Sequence, residues 1–323
     1  MKLFKFVLSL VAVFAFVTCV AQGQDAIFQT WVSGAGFDDG PCTRTEPCRT
    51  FAYALSVTAA GGEIDAIDGG DFGGIYTTKS VTIDGGGQLG SIVWHPEDAP
   101  KPPRKFGVAK GASEGDIAVL VEGVDTVVTL RNLRIDGLGI APFGIILGDE
   151  GSPAALHIEH CIITGISGPG IYINGSTGNQ VFVEDTISQD NEGPGLVVQN
   201  SGGYSYVQIS DSHFSNNWNG VEAGDASRVT VRNSDVSGNY NVGFLSDAEH
   251  ASSYLSVTDS AATHNGVGAQ AGDTGKVTWV RLSNVILIGN SPGIKVLSGG
   301  VVASWGNNHS GDNGTPNTPL TPQ

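Results

Sequence analysis

The chain has 323 residues, 47 of them glycine, with 16 basic and 32 acidic side chains and a net charge of −16. So acidic a surface repels nucleic-acid phosphates and anionic lipid, which argues against a nucleic-acid partner. It also repels a polyanionic polysaccharide unless a local basic patch or a bound cation intervenes.

Residues 1–23 read as an export signal. Lys2 and Lys5 form a basic start, residues 6–17 are apolar apart from Ser9, and Ala21 and Gly23 are small residues at a cleavage spacing. The apolar run falls short of the roughly 20 residues that span a membrane, and no second one follows. A secreted, periplasmic or cell-surface location without a transmembrane segment is therefore expected. Cys19 raises lipid attachment, which Phe16 and Thr18 disfavour immediately before it.

The next elements read as the N-terminal cap, about residues 24–85, of a single domain over 24–305. Cys42 and Cys48 flank a short Pro-containing loop and are expected to pair in an oxidising compartment. Residues 49–60 (RTFAYALSVTAA) form the best helix candidate, closing the open end of the fold. Residues 63–67 and 80–84 read as the first strands. Residues 94–115, with Pro96, Pro100, Pro102, Pro103 and the cations Lys101, Arg104, Lys105 and Lys110, read as a surface loop. Cys161 is left over, and a buried free thiol is expected there. Residues 306–323, rich in Gly, Asn, Pro and Thr, read as a flexible tail.

Regular coils are expected over 117–305, because three features share one period. Glycine precedes an apolar residue at 144, 170, 195, 220, 243, 268 and 293, successive spacings of 26, 25, 25, 23, 25 and 25. An alternating apolar pattern ends on Asn132, His160, Asp185, Asp211, Asn233, Asp259 and Asn284. Six residues later stand Asn191, Asn217, Asn239, Asn265 and Asn290. Each repeat holds two or three short alternating runs and no helix, so each run is a strand with one face buried. A chain winding once per coil of about 25 residues stacks every strand on its copy about 4.8 Å away. The fold class is thus all-β, a β-solenoid with a short N-terminal capping helix. The Asn and Asp rows suit turns, where short polar side chains tolerate left-handed backbone and bond neighbouring backbone groups. A structural turn ladder is expected of Asn191, Asn217, Asn239, Asn265 and Asn290.

The stretch Asp39-Gly-Pro-Cys-Thr-Arg-Thr-Glu-Pro-Cys-Arg-Thr-Phe51, with Gly61-Gly-Glu-Ile64 and Lys79-Ser-Val-Thr-Ile-Asp-Gly85, resembles the opening of bacterial secreted proteins described as right-handed parallel β-helix, pectin lyase-like. The resemblance is close over the cap and generic over the coils. It implies a right-handed parallel β-helix and no particular reaction. The Asn-Thr-Asp, Gly-His-Gly and Arg-Ile-Lys motifs of polygalacturonases are absent; Gly293-Ile294-Lys295 is the nearest match. The Trp-Ile-Asp-His stretch of pectate lyases and the Asp-Pro-His motif of alginate epimerases are absent too.

Two outward rows are candidates for contact. On the strands that open with glycine the row is Ile146, Tyr172, Val197, Glu222, Leu245, Gln270 and Lys295. Covered, this row is packing; open, it is a groove where Tyr172 stacks on a sugar and Gln270 bonds hydroxyls. Glu222 and Lys295 are the candidate catalytic residues, without a complete set for hydrolysis or elimination. The other row (Thr129, His157, Phe182, Gln208, Thr230, Ser256, Arg281) reads as ordinary polar strand surface. The expected function is contact with, or processing of, carbohydrate; the alternative is a non-catalytic structural rod. No cofactor is expected. Calcium at the Asp turns is the one metal considered, and the Gly-Gly-x-Gly-x-Asp repeat that binds it is missing.

Overall fold

A computed structural model describes residues 26–96, 117–148, 155–175, 178–200, 202–272, 276–314 and 321–322. The expected signal, Cys19, and the four cations of the 94–115 loop lie outside the described residues. The described residues form a parallel β-solenoid of three sheets, with twelve, nine and nine strands among them. One coil illustrates the winding. Gln180–Glu184 lies in the twelve-stranded sheet, Ile187–Gln189 in a second sheet, and Leu196–Val198 in the third, before Ser205–Ser210 starts the next coil. We call the three the long sheet, the middle sheet and the glycine sheet.

Alternation decides which side chains turn inward. In the long sheet Leu156, Val181, Val207, Val229, Leu255 and Val280 stack coil upon coil, all at most 2% exposed. Ile145, Ile171, Leu196, Val221, Phe244 and Ala269 do the same across the glycine sheet. Burying each Val, Leu, Ile or Phe contributes about 1.5–3 kcal/mol.

The three periodic rows have distinct physical roles. The corner after each long-sheet strand is one residue in left-handed conformation, with φ between 46° and 53° from Asn132 to Asn284. Asn, Asp and His tolerate this conformation best among residues with a Cβ. The glycine row is a close approach: a Cβ on Gly195, Gly220, Gly243 or Gly268 would sit 2.5–2.9 Å from the carbonyl oxygen of the next glycine in the row. The buried Asn row bonds from coil to coil, each Oδ1 accepting the preceding coil's Asn N–H. The distances are 3.2 Å for Asn191 to Asn217, 3.0 Å for Asn217 to Asn239, 3.0 Å for Asn239 to Asn265 and 2.9 Å for Asn265 to Asn290.

At the N-terminus the helix spans Phe51–Val57, shorter than 49–60, because Thr58–Ala66 is a strand. Thr50 Oγ1 accepts the Tyr53 N–H at its start, and Lys79 Nζ donates to the Leu55 and Thr58 carbonyls at its end. Ile27–Val32 adds a strand outside the expected pair, with Thr30 and Val32 turned inward. Cys42 and Cys48 form a disulfide beside it, and Cys48 N donates to Trp31 O at 2.9 Å. Cys161 is a buried free thiol, pushed up to about 12 by burial.

The winding passes residue 305. His309–Gly311 joins the middle sheet, and Asn313 Oδ1 accepts the Asn290 N–H at 2.9 Å. The first part of the segment read as a flexible tail thus extends the ladder; residues 315–320 and 323 lie outside the described residues.

Candidate functional site

The outward row of the glycine sheet is closed over. Ile146, Tyr172, Val197, Leu245 and Gln270 are all at most 7% exposed. Tyr172 packs in a cluster with Ile117, Leu120, Phe143, Ile146 and Val197, its ring 5.8 Å from that of Phe143. This arrangement leaves no open aromatic platform at Tyr172. Glu222, half-buried between Val197 and Leu245 in the row, accepts at Oε2 from Asn219 Nδ2 at 2.8 Å. Burial raises the Glu222 carboxyl, Asn219 offsets part of this, and the charge of Asp247 adds to the rise. Leu245 and Gln270 separate Glu222 from Lys295 in the register. Three steps of about 4.8 Å put the two roughly 14 Å apart along the axis, too far to act on one bond.

The exposed feature lies on the long sheet. Its outward positions form columns running along the solenoid axis. One column reads Tyr206, Arg228, Tyr254 and Trp279; the next reads Gln208, Thr230, Ser256 and Arg281. Tyr206 is 49% exposed. The Arg228 guanidinium lies between two rings, 4.9 Å from Tyr204 and 4.8 Å from Tyr254. Arg281 lies 5.8 Å from Tyr254 and 5.1 Å from the Trp279 ring. A shallow depression is lined by Tyr206, Gln208, Arg228, Thr230, Tyr254 and Arg281. Alternation alone marks the Gln208–Arg281 column as ordinary polar surface, and the column beside it carries the rings. The signal is the same period, applied to the residue immediately before each inward-facing Val or Leu.

The same sheet carries acids at its other end. Glu63, Asp65 and Asp84 bring ligand-competent oxygens within 4.8 Å of one another, and Arg131 bridges Glu63 and Asp84. Burial and Asp65 raise Glu63. Burial also acts to raise Asp84, but Asn132, the Gly86 N–H and Arg131 together hold it below the ordinary carboxylate range. At the Asp turns considered for calcium, Asp185 pairs with His160 at 3.2 Å and Asp259 accepts from Asn284 at 2.6 Å. Asp185, Asp211 and Asp259 form no three-acid cluster among the described residues. Elsewhere Asp225 accepts the His250 and Ala251 N–H groups and meets His250 Nδ1 at 3.0 Å. These bonds outweigh burial and lower its carboxyl.

A parallel solenoid with a capped N-terminus and an aromatic outer face defines the class. Residues 118–310 match the family described as the right-handed beta helix region, and the chain belongs to that family. The crystal structure of pectate lyase Pel9A is similar, with a TM-score of 0.55 and 16% identity over 87% of this chain and 69% of that one. At that identity the likeness is one of fold. No curated protein matches the chain. No helix among the described residues is long and apolar enough to cross a membrane.

Proposed function

We propose that this protein acts outside the cytoplasm as a polysaccharide-contacting β-helix, and that contact is made on the outer face of the long sheet. The observation that carries this reading is the outward column of exposed Tyr206 and Arg228 and half-buried Tyr254 and Trp279, beside Gln208, Thr230 and Ser256. Aromatic faces suit the apolar faces of sugar rings, and the neighbouring amide and hydroxyls suit sugar hydroxyls. The regular coil spacing of about 4.8 Å presents these groups as a line, which suits an extended polymer. The Pel9A likeness and the disulfide support a carbohydrate-related, extracellular setting. The test is affinity electrophoresis against a polysaccharide panel. Tyr206→Ala or Trp279→Ala is expected to weaken binding roughly tenfold, about 1.4 kcal/mol, while Tyr172→Ala on the closed face is not. No binding across the panel sinks the reading and favours a structural rod.

Bond cleavage is a second reading, favoured by the raised carboxyl of Glu222 with Asp247 near it. It predicts new reducing ends or unsaturated products, abolished by Glu222→Gln.

A further inference from the structure

We infer that the polysaccharide recognised by the long-sheet face is an acidic one, whose carboxylate or sulfate groups bind Arg228, Arg232 and Arg281. This rests on the reading above and deepens it. The first support is the distribution of charge along a single face. From Glu63 to Glu184 the outward positions carry Glu63, Asp65, Asp84, Glu159 and Glu184, with Arg131 among them. From Tyr206 to Ser283 they carry Arg228, Arg232 and Arg281 and no carboxylate. In a chain of net charge −16, outward strand positions that hold three of 16 basic residues and no acid depart from the rest of the sheet; the nearest carboxylates are the corner residues Asp211 and Asp259, beside Arg232 and away from Arg228 and the aromatic column. It is the local basic patch that a polyanion needs in order to approach so acidic a protein.

The second support is the state of the arginines. Arg131 and Arg134 form ion pairs with carboxylates, whereas Arg228, Arg232 and Arg281 form none among the described residues. Arg228 and Arg281 instead lie against aromatic rings. A ring holds the guanidinium by its face and leaves the N–H edge available. That edge matches the two oxygens of a carboxylate or a sulfate. Arg228 and Arg281 are two coils apart, about 10 Å along the axis, and one column apart across the sheet. The separation suits a polymer bearing spaced single charges, and suits the denser phosphates of a nucleic acid less well.

The test uses the full chain with three probes: dextran, hyaluronate (carboxylates) and dextran sulfate (sulfate esters). A single-stranded oligonucleotide is run beside them. Hyaluronate or dextran sulfate is expected to bind at least tenfold more tightly than dextran, and the tighter of the two identifies the acidic group. Arg228→Gln combined with Arg281→Gln is expected to remove that margin in a chain that still melts in one cooperative transition. Arg44→Gln, an exposed change in the cap, should leave binding as it is. Equal binding of dextran and the acidic polymers, indifferent to the double variant, overturns this inference and leaves polysaccharide contact standing. Failure of all three polysaccharides overturns both. Tighter binding of the oligonucleotide, or acid binding indifferent to Tyr206→Ala and Trp279→Ala, overturns the inference in favour of unspecific attraction. Salt-sensitive self-association that the double variant abolishes, without polymer binding, assigns the arginines to the acidic end of a second copy instead.

Discussion

Asn239 shows how much one side chain holds in this architecture. Its Oδ1 accepts the Asn217 N–H, its own N–H donates to Asn265 Oδ1, and its Nδ2 donates to Phe214 O and Asn265 Oδ1. The residue is 1% exposed, so water does not replace these partners. Asn239→Ala leaves buried donors and acceptors unpaired at about 1–3 kcal/mol each, and thermal unfolding should fall by several degrees. Glu222 makes the opposite case. Its folded carboxyl is raised, so folding favours the protonated form: the favourable contribution is complete below the ordinary carboxylate range and is lost as pH rises through the folded value. Glu222→Gln keeps an acceptor for Asn219 and removes the charge. It should raise the melting temperature at neutral pH and change it little at pH 4. Asp225 has the reverse sign, since its carboxyl is lowered: the stability it contributes is lost as pH falls below the usual carboxylate range. Asp225→Asn should therefore lower the melting temperature at neutral pH and flatten its acid dependence.

Elements repeat the lesson at a coarser grain. The capping helix depends on Thr50 at one end and Lys79 at the other. Thr50→Ala should cost about 1 kcal/mol, with the loss read by hydrogen exchange at the cap before the central coils. The period, the corners and the buried Asn row were legible because each places one residue type at one backbone conformation or one buried bond. The helix end was less legible, since Thr58 and Ala59 fit a helical pattern yet open the strand Thr58–Ala66, where Thr58 pairs with Ile27 and residues 62–65 pair with Val81–Asp84. Exposure of the faces was the least legible. Alternation reports which side chains leave the core and says nothing of what packs over them. Tyr172 points outward by that rule and is buried by Ile117 and Phe143, which come from earlier coils. Tyr206 and Trp279 point outward by the same rule and meet solvent. The disulfide was legible from cysteine count and spacing.

For the molecule as a whole, charge and shape act along one axis. The net charge of −16 favours solubility and opposes polyanions, while the outward strand positions holding Arg228, Arg232 and Arg281 reverse that sign locally. Binding of an acidic polymer should therefore weaken steeply with added salt, whereas binding of a neutral polymer through the rings alone should not. A salt titration on both kinds of polymer separates the two terms. Each coil meets its immediate neighbours through one parallel register, so the line from Tyr206 to Trp279 has a length fixed by three coil steps, about 14 Å. One more coil would lengthen that line by one increment without altering any residue already in it. Recognition on such a surface scales as a count of turns, and a longer partner is accommodated by arithmetic instead of by a new pocket.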